Sequence, residues 1–240
     1  AVRKNAYQQH GESLNYTATA KLLPNWKLNF APLKTVHSQV LQNVQIRVDL
    51  AFKAFFRRVK AGEKPGYPRF KGQGQYQSIT YPQYGNGVTL EDGMLNLSKI
   101  GKIKVVMHRP LEGTIKTVTI QRRADKWYAC FSCEVEAQPL PPSHEVVGVD
   151  LGLKTFAALS TGEPIKRQRW MKRDEQDIAR LQRQKERCPK GSVERRRVVK
   201  ALRLAYQRSN NHRNDFAHQE SRKLVNRFGL LVFEDLDIQD

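Results

Sequence analysis

The first part of the chain has the apolar spacing of helices. Between residues 35 and 60, seven apolar residues recur every three to four positions, the period at which side chains share one face of a helix. They are Val36, Val40, Val44, Val48, Phe52, Phe55 and Val59. Residues 1–34 have a helical pattern that is short and interrupted by proline. We therefore expect several short helices followed by one long amphipathic helix.

Between residues 73 and 140 the pattern becomes that of β-strands. Residues 87–97 alternate around Asp92 and Gly93, a dipeptide that favours a tight hairpin turn. Three further segments are rich in β-branched residues, at 103–107, 115–121 and 127–136. We expect an antiparallel barrel or sandwich of about five strands, of the wedge or OB-like type.

After a stiff, proline-rich linker at residues 139–142, strands and helices alternate. Short apolar strands are predicted at 146–150, 155–160 and 230–234. Residues 174–228 are strongly helical apart from a break at 188–192, so they predict a hairpin of two helices. The sequence thus predicts an α+β protein with more than one domain.

Charge is unevenly distributed along the chain. Its 240 residues include 42 Lys and Arg against 23 Asp and Glu, for a net charge of +19 and a pI near 10.1. The range 166–227 alone holds 20 of the basic and seven of the acidic residues, an excess of 13. A positive electrostatic potential of this size attracts polyanions, so nucleic acid is the first expected partner. A passive basic protein of the ribosomal type would have a similar composition.

Bulk features indicate a soluble, cytoplasmic protein. No stretch approaches the roughly 20 apolar residues that span a bilayer, and the N-terminus lacks the apolar core of a signal peptide, so no membrane partner is expected. Three cysteines are too few for a disulfide framework. Because the sequence opens without Met and in mid-pattern, we expect a fragment.

Cations interleave with aromatic residues in the segment 57–71, and they crowd the helical hairpin. Phosphates attract Lys and Arg, and unpaired bases stack on aromatic rings. Tyr67 and Phe70 supply such rings, although packing at a domain junction is an equally good role for them. The expected nucleic-acid contacts are Arg57, Arg58, Lys64, Tyr67, Arg69, Lys71, Arg195, Arg196 and Arg197.

Asp150 and Glu234 each end an apolar strand, and helices lie between those strands in the sequence. The carboxyl ends of strands are where open α/β sheets place their sites, and two carboxylates brought together there suit Mg²⁺. Paired ions of this kind assist the displacement at a phosphodiester. A strand-terminal Asp is also common as a turn residue that caps neighbouring amides.

Other candidate ligands are less convincing. Cys130 and Cys133 lie three apart in a predicted strand, so their side chains point to opposite faces and cannot hold one zinc ion. His212 and His218 lie six apart on a helix, on different faces, which favours core or surface roles. Asp235 points away from Glu234 along the strand and is not expected to be a ligand.

Three motifs together resemble the transposon-encoded TnpB/OrfB proteins, relatives of the type V CRISPR effectors. Residues 148–157, Gly-Val-Asp-Leu-Gly-Leu-Lys-Thr-Phe-Ala, resemble the first RuvC motif of that family, and residues 232–236, Val-Phe-Glu-Asp-Leu, resemble the second. Residues 64–71, Lys-Pro-Gly-Tyr-Pro-Arg-Phe-Lys, resemble its basic-aromatic segment. The resemblance covers nearly the whole chain in the family's order.

The resemblance implies a helical recognition region at 1–72, a wedge-like β-barrel at 73–140 and a partial RNase H-like (RuvC) domain at 141–240. It also implies a magnesium-dependent nuclease, with Mn²⁺ as an alternative ion, that uses a guide RNA from the transposon end to cut double-stranded DNA beside a short motif. Asp150 and Glu234 would be its first two catalytic metal ligands.

The family also has a third catalytic Asp and a zinc ribbon after the second motif, and the sequence ends at Asp240 before either. The opening of the wedge domain is missing as well. We therefore expect this chain to bind nucleic acid but to cleave it poorly or not at all, with zinc only in a segment beyond it.

Three functions compete. An RNA-guided DNA endonuclease of transposon origin accounts for the strand-end carboxylates. A cleavage-deficient binder of guide RNA and DNA, which acts by occupancy as a repressor or competitor, accounts for the missing third ligand. A transposase that performs strand transfer is the weakest reading, since no Tyr or His-x-His arrangement supports a covalent DNA intermediate.

Overall fold

The structure, a computed structural model, describes residues 2–72, 74–152 and 155–234. The chain forms two compact units, residues 1–136 and 137–240. The helical region and the β region that the sequence distinguishes therefore belong to one unit. A separate domain at 1–72 stays a prediction.

The first unit begins with helices. Their bounds are Val2–His10 (α1), Tyr16–Lys21 (α2), Leu23–Asn29 (α3) and Ser38–Lys60 (α4), with a 3-10 helix at Ala31–Thr35. The predicted long helix is confirmed as α4. It contains no Gly or Pro and ends where Gly62 takes a left-handed backbone (φ 72°). The last turn of α4 contains Arg57, Arg58 and Lys60, and their positive charge stabilises the helix by interacting with the negative end of its dipole.

Six strands follow α4. They are Ser78–Tyr81 (β1), Val88–Glu91 (β2), Met94–Leu97 (β3), Gly101–Lys104 (β4), Thr114–Arg123 (β5) and Lys126–Glu134 (β6). The predicted hairpin turn at Asp92 and Gly93 is confirmed, since both residues have positive φ, 50° and 71°, as a type I′ turn requires.

The expected barrel is wrong. Within residues 74–152 the strands of this unit form two three-stranded antiparallel sheets, ordered β1-β5-β6 and β2-β3-β4, and no closed barrel. Pro82 directly follows β1 and Pro110 lies in the connection from β4 to β5, and neither has the N–H that a continued ladder needs. The sheets share an apolar core instead, formed by Val40 of α4 with Tyr81, Val88, Leu95, Leu97 and Val118.

Helix α4 is fixed to the first sheet by Arg47. Its guanidinium donates to Ser78 Oγ at 2.9 Å and to Thr80 Oγ1 at 2.6 Å, and Thr80 is itself bonded to Thr119 across the sheet. The basic segment that follows α4 therefore starts from a helix that is attached to this sheet near its middle.

The second unit is a four-stranded sheet with a long helical hairpin. Its elements are Val146–Leu151 (β7), Ala157–Leu159 (β8), Pro164–Ile165 (β9), Arg169–Arg187 (α5), Val193–Arg227 (α6) and Leu230–Phe233 (β10). The strand order is β10-β7-β8-β9, with β10 parallel to β7 and the other pairs antiparallel. Buried Val147, Val149, Ala157, Leu159 and Phe228 form its core.

The predicted helical hairpin is confirmed, although α5 begins five residues before the expected start at 174. Ser192 caps α6 by accepting a hydrogen bond from the Arg195 amide at 3.1 Å. Of the helices in the described residues, none is long and apolar enough to cross a membrane.

Candidate functional site

The two predicted metal ligands lie at the same end of two neighbouring parallel strands. Residues 230–233 of β10 pair in register with 146–149 of β7, so that Phe233 lies opposite Val149. Glu234 and Asp150 come next on each strand. Adjacent strands lie about 4.8 Å apart, so the backbones of these two residues leave the sheet side by side at the same end. The prediction that the two strands are adjacent and parallel is confirmed.

The strand alternation places both carboxylates toward the same side of the sheet. Val147 and Val149 face the core, so Val146, Gly148 and Asp150 face the other way. Partners in a parallel pair share a face, and continuing the register pairs Glu234 with Asp150. Both residues are exposed, so incoming nucleic acid could reach them.

The donor set fits a hard cation in part. Mg²⁺ binds oxygen ligands, and it commonly takes one or two carboxylates from the protein while retaining waters or substrate phosphates. Within residues 2–72, 74–152 and 155–234 there is no group of three or more His, Cys, Asp or Glu side chains that could hold an ion. Asp235, Asp237 and Asp240 lie outside the described residues.

Gly152, which directly follows β7, is closely packed. Gly152 donates its amide to the Phe156 carbonyl at 3.3 Å, and a Cβ on Gly152 would lie 3.2 Å from the Thr155 carbonyl oxygen. A side chain at this position would therefore have to shift the Thr155 carbonyl by a few tenths of an ångström.

The basic-aromatic segment after α4 has its two aromatic rings in different environments. Tyr67 packs edge-on against Phe52 and Phe55 at centroid distances of 5.8 and 5.5 Å, while half of its surface stays exposed. Phe70 is 92% exposed. The expected cationic contacts of this segment are all at least partly accessible: Arg57, Arg58, Lys64, Arg69 and Lys71. Their contact with nucleic acid stays a prediction.

The three arginines predicted on the helical hairpin differ in their surroundings. Arg195 donates to the Lys185 carbonyl and, at 3.0 Å, to the Cys188 carbonyl, so its guanidinium caps the end of α5. Arg196 donates to the Gly191 carbonyl at 3.2 Å. Arg197 is exposed. Arg195 thus has a structural task in the hairpin, which any test of its role in binding must separate.

The cysteine and histidine residues considered as possible metal ligands lie apart from Asp150 and Glu234 in the sequence. Cys130 is exposed and Cys133 half-buried, both as free thiols on β6. His212 Nδ1 is hydrogen-bonded to a carboxylate oxygen of the buried Asp174 at 2.9 Å, and the His212 ring lies against Trp170. The predicted structural role of His212 agrees with these contacts, which join α5 to α6.

Two further features that the fold brings together were not predicted. Asp174 and His212 are 38 residues apart, so only the packing of α5 on α6 shows their contact. The tip of the β5–β6 hairpin, residues 122–128, concentrates cations and aromatics. Its composition, Arg-Arg-Ala-Asp-Lys-Trp-Tyr, was a usable signal because cations beside aromatics are typical of nucleic-acid contacts.

Comparisons with known proteins agree on a family. Residues 130–240 match the OrfB_IS605 family, described as a probable transposase. A protein of Escherichia coli (strain K12), named "Putative RNA-guided DNA endonuclease InsQ", is 29% identical over 243 residues, covering 100% of this chain and 59% of that protein. A Streptomyces pristinaespiralis protein, named "Putative RNA-guided DNA endonuclease", is 31% identical over 245 residues, covering 99% and 59%.

The chain is a basic α+β protein in which the strands that carry Asp150 and lead to Glu234 are parallel neighbours, and both relatives are named as endonucleases. The family match and the two relatives together support membership of the TnpB/OrfB family. It spans about three fifths of the length of the curated relatives it matches.

Proposed function

We propose that the chain is part of an RNA-guided, Mg²⁺-dependent DNA endonuclease in which Asp150 and Glu234 hold the metal. The observation that carries the proposal is the parallel pairing of β7 with β10, which brings the two strand ends together. Both relatives described above bear the name of an RNA-guided DNA endonuclease, which supports guide RNA and target DNA as partners.

The topology supports an RNase H-like (RuvC) core for the second unit. In that arrangement the first strand pairs antiparallel with the second and parallel with the fourth, as β7 does with β8 and β10. The helical hairpin of α5 and α6 lies between β9 and β10 in the chain, as an insertion would. Wedge-like and recognition domains in the first unit are part of the same proposal.

Asp150 and Glu234 would contribute anionic oxygens on one side of the sheet end. A bound Mg²⁺ would neutralise charge that develops on a phosphodiester and lower the pKa of a coordinated water. The residues of the chain would fix the position of the ion through the two strands. They would also hold the nucleic acid by its phosphates through the basic surface.

A metal titration tests the carboxylate pair directly. Binding of Mn²⁺ to the chain, followed by electron paramagnetic resonance, should weaken roughly tenfold or more in Asp150→Asn and in Glu234→Gln. Asp92→Asn is the matched control, because it removes the same charge at a hairpin turn where Asn tolerates the left-handed backbone. Equal Mn²⁺ affinity in the control and the two site variants would contradict the assignment.

Cleavage provides a second readout. With RNA transcribed from the transposon end and matching target DNA, any Mg²⁺-dependent cutting should disappear in Asp150→Asn while RNA binding remains. Cutting that survives both site substitutions would place the catalytic metal elsewhere.

A binder that acts by occupancy is the second candidate function. The net charge of +19 favours it, since tight nucleic-acid binding needs that charge but no carboxylate pair. In that case Asp150→Asn and Glu234→Gln would leave both RNA affinity and target occupancy unchanged, and no cutting would be seen with Mg²⁺ or Mn²⁺.

A further inference from the structure

The turn of the hairpin formed by β5 and β6 presents an aromatic and cationic tip. Ala124 takes a left-handed backbone (φ 49°), which reverses the chain, and Arg123 pairs with Lys126 next to the turn. Arg122 lies directly opposite Trp127. Paired residues on neighbouring strands point to the same face, so the guanidinium and the indole share one side of the ribbon.

Trp127 is unusually exposed for its place on the strand. Ala129 and Phe131, two and four residues further on the same face, pack against the core of the first unit. Trp127 extends beyond that core and is 62% exposed. A large indole in water forgoes much of the stabilisation that burial of its ring would give, and exposed aromatic surface beside charge commonly marks a binding site.

The charge around the indole is one-sided. Residues 122–128 contain three cations and one acid, Asp125: Arg122 shares the face of the indole, while Arg123 and Lys126 point to the other face of the ribbon. The Arg122–Asp125 ion pair is long at 3.9 Å and largely exposed. Exposed pairs of this kind contribute about 0–1 kcal/mol, so the guanidinium can exchange its partner at little cost. The tip therefore suits an anionic ligand that also has a flat apolar group.

We propose that the hairpin tip binds single-stranded nucleic acid, with one unpaired base stacked on Trp127 and the flanking phosphates held by Arg122 on the same face and by Arg123 and Lys126 on the opposite face of the tip. The proposal rests on the proposed nucleic-acid function and adds a stacking site to it. A single strand is the fitting partner because base faces in a duplex interior are covered by their neighbours.

The test measures binding of the chain to fluorescein-labelled oligothymidine and oligouridine of about 12 nucleotides, by anisotropy without added metal. Trp127→Leu should weaken binding roughly 5- to 100-fold, because base stacking is lost, whereas Trp127→Phe keeps an aromatic face and should stay within about threefold. Phe30→Leu is the control: Phe30 is an aromatic residue of the same unit that is 61% exposed, and the sequence has no Lys or Arg within two residues of it.

The cations are tested separately through salt. Arg123→Ala combined with Lys126→Ala should reduce the slope of log affinity against log salt by roughly 1 to 1.5, as expected for two lost phosphate contacts on a single strand. An unchanged slope would overturn the phosphate part of the proposal. Melting temperatures of all variants, which should match the parent chain, show whether the fold is intact.

Several results would overturn the stacking site. Equal affinity of Trp127→Leu and the parent chain would do so, and so would equal losses in the Leu and Phe variants together with a lowered melting temperature, since the indole would then be packing within the protein. A loss as large for a blunt duplex as for the single strand would also count against it. If Asp150→Asn and Glu234→Gln bind Mn²⁺ as tightly as the control while the Trp127 variants behave as expected, only the carboxylate assignment would be wrong.

Discussion

Asp49 is a buried carboxylate that joins two helices of the first unit. It is 6% exposed on α4 and accepts a hydrogen bond from Arg3 of α1 at 2.8 Å. Lys53, one turn further along α4, pairs with its other oxygen at 3.0 Å. The Arg3 guanidinium also lies over the Phe52 ring at 5.5 Å. Through Arg3, this acid therefore attaches α1 to α4.

The contacts of Asp49 predict a pH dependence of stability. Burial by itself raises the pKa of the carboxyl, but the hydrogen bonds and charges of Arg3 and Lys53 outweigh it and hold the pKa below the ordinary value of 3.8. The stabilisation is thus present above that value and is lost as pH falls through the lower, folded-state pKa.

Asp49→Asn should lower the free energy of unfolding by about 1–3 kcal/mol near neutral pH, because charged hydrogen bonds are lost. The difference from the parent chain should shrink as the pH falls below about 4. Urea unfolding followed by circular dichroism measures both. Glu63→Gln, an exposed acid beyond the end of α4, should have little effect, and a pH-independent Asp49→Asn difference would contradict the assignment.

At the scale of elements, the hydrophobic period predicted those helices and strands whose formation depends on residues close together in the sequence. The spacing from Val36 to Val59 was sufficient for α4 because one helical face repeats along the chain. The two-residue strand β9 is too short to show any period, and it was not predicted. The barrel was predicted wrongly because alternation identifies strands but does not determine which edges pair.

The proximity of the two candidate ligands could be predicted because it depends only on where two strands end. Asp150 and Glu234 each end an apolar strand, and the inference that such ends converge needed no knowledge of other side chains. The contact of Asp174 with His212 and the exposure of Trp127 depend on how distant segments pack. No local pattern carries that information.

The helical hairpin contains two acids that share one partner in different surroundings. Asp174 is buried, accepts from His212 Nδ1 at 2.9 Å and lies 3.5 Å from Arg208 Nε. Asp177, one turn later on α5, is more exposed and bonds to Arg208 at 2.9 Å. Burial should therefore separate the effects of two otherwise similar substitutions.

We predict that Asp174→Asn destabilises the hairpin by about 1–3 kcal/mol, because a buried charged acceptor is lost beside His212. Asp177→Asn should cost about 0–1 kcal/mol, as exposed ion pairs do. Amide hydrogen exchange of α5 and α6 measures the local effect, since local opening reports the stability of that element. Equal protection in the two variants would mean that burial of Asp174 has no energetic consequence.

For the whole molecule, cationic charge is shared by both units. Residues 1–136 contain 21 Lys and Arg against nine Asp and Glu, a net charge of +12, and residues 137–240 contain 21 against 14, a net charge of +7. The excess on the helical hairpin is offset within its own unit by acids outside the hairpin. Both units are therefore expected to contribute phosphate contacts.

The last prediction is the salt dependence of nucleic-acid binding. If both units contact the backbone, about six to ten phosphates are neutralised, and affinity should fall by roughly 10³ to 10⁵ between about 50 and 200 mM monovalent salt. Fluorescence anisotropy with labelled RNA and duplex DNA measures this fall, and urea unfolding at both salt concentrations checks that the chain stays folded. Arg197→Glu should weaken binding most at low salt and leave stability unchanged, because Arg197 is exposed, whereas Arg195→Glu should also destabilise the turn that Arg195 caps. An affinity that stays constant over this range of salt would rule out an interface built on these charges.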